Sequence, residues 1–134
     1  MKEKVECIML IDDSPAVNFY HKSLIEQADC CQSIVVARHG KEALDILTDT
    51  SKKGYHKPDL IFLDLNMPVM DGWEFLDHYK KLQAELKAKA LVVLVSSSLN
   101  PDDKEKAAEY EDVKEYIIKP IDLEVLEHLL KSYF

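Results

Sequence analysis

Short apolar segments alternate with longer amphipathic segments along nearly the whole chain. The apolar segments are rich in β-branched residues and are apolar on both faces, which is typical of strands in a sheet that is covered on both sides. The predicted strands are Val5–Ile11, Ser33–Ala37, Asp59–Leu63, Leu91–Val95 and Glu115–Ile118.

The amphipathic segments carry apolar residues at helical spacing. The predicted helices run from Pro15 to about Ala28, Gly40 to about Ser51, Gly72 to about Leu86, Pro101 to about Tyr110, and from Asp122 onward. Strands and helices that alternate with right-handed crossovers predict a three-layer α/β sandwich with a parallel five-stranded sheet at its centre. In such folds the ligand site lies beyond the carboxyl ends of the strands, where the strand order reverses.

Some local features can also be predicted. Ser14 or Asp13 is expected to cap the first helix, and the third helix is expected to continue through residues 80–90. The last helix is expected to place its leucines on one face; these are Leu123, Leu126, Leu129 and Leu130. The histidines show no metal-ligand spacing and are expected on the surface; these are His21, His39, His56, His78 and His128.

Composition narrows the classes of function. The 134 residues fit one domain, expected over residues 1–134 without an output domain, and the net charge of −8 disfavours nucleic acid and anionic membranes as partners. No apolar run approaches the roughly 18 residues of a membrane span. Cys7, Cys30 and Cys31 form no CxxC motif, so neither a disulfide framework nor a zinc site is indicated. The expected location is the cytoplasm.

Polar residues stand where four of the predicted strands end. Asp12 and Asp13 follow the first strand, Asp64 the third, Ser96 the fourth and Lys119 the fifth. Because the carboxyl ends of parallel strands meet at one edge, these groups are expected to converge. Clustered carboxylates favour a hard cation such as Mg²⁺. A carboxylate nucleophile, a metal, an ammonium and a hydroxyl are the groups that phosphoryl transfer needs.

At these residues the sequence resembles the receiver domain of two-component response regulators, the family of the chemotaxis protein CheY. The matching motifs are IDDSP at residues 11–15, LDLNMPVMDG at residues 63–72, the hydroxyl of Ser96 and IKP at residues 118–120. The resemblance covers the chain from Val5 to about Leu130. It implies a flavodoxin-like (βα)5 sandwich with strand order 2-1-3-4-5.

The resemblance also implies a role for each site residue. Asp64 would accept the phosphoryl group, while Asp13, Asp64 and the backbone carbonyl of Asn66 would bind Mg²⁺ or Mn²⁺ directly. Asp12 would bind the same metal through water.

Four further roles follow from the same resemblance. Lys119 would hold the phosphoryl group, and Pro120 would follow it through a cis peptide bond. Ser96 would be the switch hydroxyl, and Tyr116 would be the switch aromatic residue.

The function implied is a phosphorylation-controlled switch that catalyses only its own phosphorylation and dephosphorylation. A sensor histidine kinase or histidine phosphotransfer protein would supply the phosphoryl group, and a downstream protein would read the face of the fourth helix, fifth strand and fifth helix. That face would bind a partner or a second copy after phosphorylation. It is expected to include part of an apolar set formed by Tyr110, Val113, Tyr116 and Ile117. Neither nucleic acid nor membrane is expected as a direct partner.

Other interpretations stay open at this point. Singly, Asp12 and Asp13 could cap a helix, and Lys119 and Pro120 could end a strand. A degenerate receiver could act only as a protein-binding scaffold, although the complete acidic set argues against it. A small metal-dependent phosphohydrolase also uses strand-end aspartates, but the chain lacks an insertion to bind its substrate. A flavin-binding module would need a phosphate-binding loop, where this chain has acids.

Overall fold

Parallel strands and helices alternate in the computed structural model, which describes residues 5–49, 57–65, 67, 70–95, 101–118 and 120–134. The sheet has five strands in the order β2-β1-β3-β4-β5. Each neighbouring pair is parallel. The predicted three-layer fold and strand order are confirmed.

The strands are β1 (Val5–Ile11), β2 (Cys31–Ala37), β3 (Leu60–Asp64), β4 (Ala90–Val95) and β5 (Val113–Ile118). The helices are α1 (Pro15–Ala28), α2 (Gly40–Thr48), α3 (Gly72–Tyr79), α4 (Pro101–Ala108) and α5 (Leu123–Tyr133), with a short 3-10 turn at Ala84–Leu86. None of the helices in the described part of the chain has the length and apolar character that crossing a bilayer requires.

The sheet is buried on both faces, and its side chains alternate between two cores. One core joins strand residues such as Met9 and Leu63 to Leu47 of α2 and Phe75 of α3. The other joins the alternate strand residues to α1 and α5; its members include Ile8, Leu10, Phe62, Ile25, Leu126 and Leu129. Burial on both faces explains why the strands are apolar at nearly every position.

Side-chain caps fix where the helices begin. Ser14 caps α1 by accepting a hydrogen bond from the N–H of Val17, as predicted. Asp71 and Glu74 form a capping box at the start of α3, and Asp122 accepts from the N–H of Val125 at the start of α5. Each cap satisfies backbone donors that the helix itself leaves unpaired.

The prediction of a long third helix is wrong. α3 ends at Tyr79, and the chain turns before the 3-10 turn and β4. Residues 80–90 contain good helix formers, but the chain must return to the edge where β4 begins. The N–H of Ala88 donates to the hydroxyl of Tyr79 at 2.8 Å and closes this return, so tertiary structure overrides local propensity.

Three smaller expectations also need correction. β2 begins at Cys31 rather than Ser33, because Cys31 pairs with Val5 of β1. The side chain of Leu123 is 47% exposed, whereas Leu126 and Leu129 are fully buried. His21 is buried, not on the surface. The predicted end of α2 at Ser51 lies outside the described residues.

A backbone contact at Gly72 leads to a stability prediction. A Cβ at Gly72 would lie 2.6 Å from the Cα of Leu65 and 2.8 Å from the carbonyl oxygen of Asp64. Because both neighbours are backbone atoms, we expect Gly72→Ala to lower the free energy of unfolding by about 3 kcal/mol in urea denaturation.

Gly40 provides the matched control. A Cβ there meets the side chain of Met70 at 2.9 Å, and the Met70 carbonyl oxygen at 3.1 Å. The flexible thioether can move aside, so Gly40→Ala should cost less, about 1 kcal/mol. Equal losses in the two variants would contradict the close packing of Gly72 on β3.

Candidate functional site

The strand register brings the first and third strand ends together. Ile11 of β1 is paired with Leu63 of β3, so the residues that follow, Asp12 and Asp64, come side by side. Asp13 adds a third carboxylate at the start of the loop into α1. One carboxylate oxygen from each of these three residues lies within 4.8 Å of the others.

Hydrogen bonds fix the backbone around Asp12. Its N–H donates to the carbonyl of Ala37 at 3.0 Å, and its carboxylate accepts from the N–H of Ser14 at 2.9 Å. Its carbonyl accepts from the side-chain amide of Asn18 at 2.8 Å. Strand β2, the loop and helix α1 therefore all orient the first acidic residue of the site.

Asp64 is positioned by the β3–α3 connection. It is the last residue of β3 and is only 3% exposed. The start of α3 packs directly against it, since the N–H of Gly72 donates to the carbonyl of Leu65 at 2.9 Å. The backbone of Asp64 is thus held between the sheet and α3.

The three carboxylates fit the ligand set of a small divalent cation. Asp12 and Asp64 are buried while Asp13 is exposed, so the cluster opens to solvent on one side. Three like charges this close repel one another, and a shared cation relieves the repulsion. Oxygen ligands from few carboxylates, with room for water, are the pattern that Mg²⁺ prefers. The donor set therefore fits the predicted metal.

Several predicted site residues lie outside the described residues. These are Ser96, Lys119 and Asn66. β4 ends at Val95 and β5 at Ile118, immediately before two of these positions in the sequence. Pro120 is described and exposed, but the peptide bond that joins it to Lys119 is outside the described part. The roles assigned to these residues stay predictions.

Tyr116 lies on β5 with its ring partly buried against the core that contains α2 and α3. Its hydroxyl is buried and has no hydrogen-bond partner among the described residues. Burial raises the pKa of Tyr116, and the negative charge of Asp103 on α4 raises it further. The hydroxyl is therefore neutral at physiological pH and inserted into the protein.

The other apolar residues predicted for the partner face also pack inward in part. Tyr110 and Val113 contact the same core as Tyr116, and Ile117 contacts the opposite core. The neighbouring Ile118 at the end of β5 is 44% exposed. This face therefore presents fewer free apolar side chains than the sequence pattern indicates.

The sequence analysis missed two buried polar residues on α1. Asn18 and His21 are one helical turn apart and are 7% and 1% exposed. Asn18 contacts Asp12, and His21 accepts a hydrogen bond from the N–H of Ile121 at 3.2 Å. Their three-residue spacing on an otherwise apolar helix face was a usable signal, but their partners are not visible in sequence.

The chain is similar to known proteins over most of its length. A family model described as "Response regulator receiver domain" matches residues 8–131. The transcriptional regulatory protein MalR of Bacillus subtilis (strain 168) is 32% identical over 126 residues, which are 94% of this chain and 49% of MalR. The chain thus spans about half the length of several curated relatives that it matches.

Solved structures are similar over nearly their full length. A two-component response regulator from Cytophaga hutchinsonii has a TM-score of 0.86 and 31% identity, covering 98% of each chain. The phosphorylated cyanobacterial phytochrome response regulator RcpA has a TM-score of 0.75 and 31% identity, over 96% of this chain and 90% of that one.

The hydroxyl of Tyr116, which has no hydrogen-bond partner among the described residues, predicts an unusual mutational response. Removing a buried hydroxyl that lacks a partner relieves a desolvation cost, so Tyr116→Phe should leave stability unchanged or raise it by about 1 kcal/mol. Tyr79→Phe is the matched control, because it removes the acceptor of the Ala88 N–H and should cost about 1 kcal/mol. Urea denaturation measures both, and a larger loss for Tyr116→Phe than for Tyr79→Phe would contradict the assignment.

Proposed function

The chain belongs to the response regulator receiver domain family, and from that premise we propose that Asp64 accepts a phosphoryl group and thereby switches a protein-binding face. The observation that carries the proposal is the carboxylate cluster, in which Asp64 ends a buried strand beside Asp12 and Asp13. Its backbone is fixed by β3 and α3, which suits a nucleophile that must meet its donor in line.

The reaction transfers one phosphoryl group. A carboxylate oxygen of Asp64 attacks the phosphorus of a phosphohistidine on a partner protein, forming an acyl phosphate as the phosphorus–nitrogen bond breaks. The leaving imidazole takes up a proton. Attack of water on phosphorus later breaks the new bond, releases inorganic phosphate and restores Asp64.

Asp13 and Asp64 would bind Mg²⁺ directly, and Mn²⁺ could replace it; the carbonyl of Asn66 would be a third ligand and Asp12 would act through water. The metal, when bound, supplies positive charge that offsets the carboxylates and the phosphoryl oxygens. The exposure of Asp13 supports this assignment, because it leaves the cluster accessible to the donor.

Lys119 and Ser96 are proposed to complete the site. The ammonium of Lys119 would pair with a phosphoryl oxygen, and Pro120 would aim it through a cis peptide bond. The hydroxyl of Ser96 would move toward the phosphoryl group. Support for these roles comes from the family motif and from the positions of both residues immediately after β4 and β5 in the sequence.

The partners follow from the family and from the chemistry of the site. We propose a sensor histidine kinase or histidine phosphotransfer protein as the donor, and a protein that reads the α4–β5–α5 face as the target. MalR is named as a transcriptional regulatory protein, whereas the acidic surface of this chain favours control of a protein partner over direct nucleic-acid binding. Self-association after phosphorylation is an alternative use of the same face.

The phosphoacceptor is tested by intact-protein mass spectrometry after incubation with acetyl phosphate and Mg²⁺. We expect one base-labile phosphoryl adduct on the chain and none on Asp64→Asn. Asp45→Asn is the matched control, because Asp45 is an exposed carboxylate on α2, outside the cluster; it should take up the adduct like the unmodified chain.

Two further arms test the metal. EDTA should prevent adduct formation. Asp13→Asn should weaken Mg²⁺ binding by about tenfold or more in calorimetry, since it removes a direct ligand. An adduct that persists on Asp64→Asn would move the acceptor elsewhere. Failure with acetyl phosphate and with a phosphohistidine donor would leave the scaffold function as the better account.

The fluorescence of Trp73 can report changes at the proposed switch face, because Trp73 contacts residues on and next to α4. Trp73 on α3 is the chain's one tryptophan, and its ring is stacked on Tyr110 at 6.2 Å and lies 4.5 Å from the ammonium of Lys106 on α4. The Tyr110 hydroxyl donates to Asp77 at 2.6 Å, and burial together with this bond raises the pKa of Tyr110 to about 12. These contacts couple the indole to the C-terminal end of α4.

We therefore expect phosphorylation to change the fluorescence of Trp73, because a switch of the α4–β5–α5 face would alter the contacts between α4 and α3. Asp64→Asn should show no change under the same conditions. Lys106→Met should shift the emission before phosphorylation, since it removes the cation above the ring. A fully phosphorylated chain with unchanged Trp73 emission would contradict a movement of α4 at this contact.

A further inference from the structure

The loop between β5 and α5 is attached to α1 by a buried hydrogen bond. The N–H of Ile121 donates to Nε2 of His21 at 3.2 Å, and Ile121 and His21 are 0% and 1% exposed, respectively. Since β5 ends at Ile118 and α5 begins at Leu123, Ile121 lies within the short connection. The contact therefore fixes the backbone two residues after Lys119 in the sequence.

The same face of α1 also contacts the acidic end of the site. Asn18 lies one turn before His21, and its side-chain amide donates to the carbonyl of Asp12 at 2.8 Å. α1 thus contacts the end of β1 through Asn18 and the β5–α5 connection through His21. β1 and β5 are not neighbours in the sheet, because β3 and β4 lie between them. The helix therefore contacts both the acidic cluster and the β5–α5 connection.

We infer that His21 is a positioning residue, whose imidazole fixes the β5–α5 connection at Ile121 and thereby supports the role proposed for Lys119, two residues earlier in the sequence. The inference rests on the proposed function of Asp64 and Lys119. It assigns a role in phosphoryl transfer to a buried side chain of α1.

The proposed positioning role requires a hydrogen-bond acceptor in the side chain of residue 21. Because Nε2 accepts, the neutral ring carries its proton on Nδ1. An apolar side chain of the same size would fill the space but would leave the buried N–H of Ile121 without its acceptor. The connection would then be free to shift toward another acceptor, and the backbone beside Lys119 would shift with it.

Two substitutions separate the acceptor from the shape of the side chain. In His21→Gln the amide oxygen is the same number of bonds from Cβ as Nε2, so the acceptor is retained. His21→Met has a similar length but ends in a methyl group. For the unmodified chain and both variants, we would measure the rate of adduct formation from acetyl phosphate at saturating Mg²⁺. We would also measure the amide exchange of Ile121 by NMR, the Mg²⁺ affinity and the stability in urea.

We expect His21→Met to slow phosphorylation by about tenfold and to speed the exchange of the Ile121 amide, because small displacements of positioning groups have large effects on rate. The Mg²⁺ affinity should stay within about twofold, since the three acidic residues lie on β1, β3 and their loops. His21→Gln should restore both the rate and the exchange protection. In the unmodified chain, ¹⁵N NMR should show the proton of the His21 ring on Nδ1.

Three results would overturn the inference. A normal rate in a folded His21→Met chain with an unprotected Ile121 amide would show that the bond does not position the site. Equal slowing in folded His21→Met and His21→Gln would show that ring shape matters and the acceptor does not. Absence of any adduct on the unmodified chain would instead remove the proposed function and this role with it, whereas the first two results leave that function intact.

Discussion

The constraint on which the site depends is the register between β1 and β3. Pairing of Ile11 with Leu63 brings Asp12 and Asp64 together, and the tight turn at Ser14 adds Asp13. Carboxylates repel at this distance, so the arrangement persists only because apolar strands buried on both faces fix the backbone beneath it. The stability of the sheet thus maintains a charge distribution that the acidic residues alone would not adopt, and a shared cation is the species that would relieve its repulsion.

The general features of this site could be predicted because parallel strands share one direction. Every residue that follows a strand then lies at the same edge, so Asp12, Asp13 and Asp64 could be grouped from sequence alone. The registers that decide which strand ends are neighbours depend on packing and could not be predicted from residue order. The family motifs supplied what the pattern lacked, namely the strand order and the roles of Ser96 and Lys119.

Two failures of prediction share one physical cause, which is a tertiary contact that local propensity does not include. Residues 80–90 have helical composition, yet the bond between Tyr79 and Ala88 turns the chain toward β4. His21 is expected on the surface from sequence, yet it is buried and accepts a hydrogen bond from Ile121, 100 positions away. Local propensity describes what a segment favours in isolation, and in both places tertiary contacts outweigh it.

The contact between His21 and Ile121 also affects when the site can form during protein synthesis. Its two residues are 100 positions apart, whereas all three acidic residues are translated within the first half of the chain. Contacts between distant segments carry a large loop-closure cost and form late, and domains emerge from the ribosome from their N-terminal side. A nascent chain can therefore present its acidic residues before the segment that carries Lys119 exists. The activity proposed for Asp64 would begin only after the segment through Ile121 has emerged and folded.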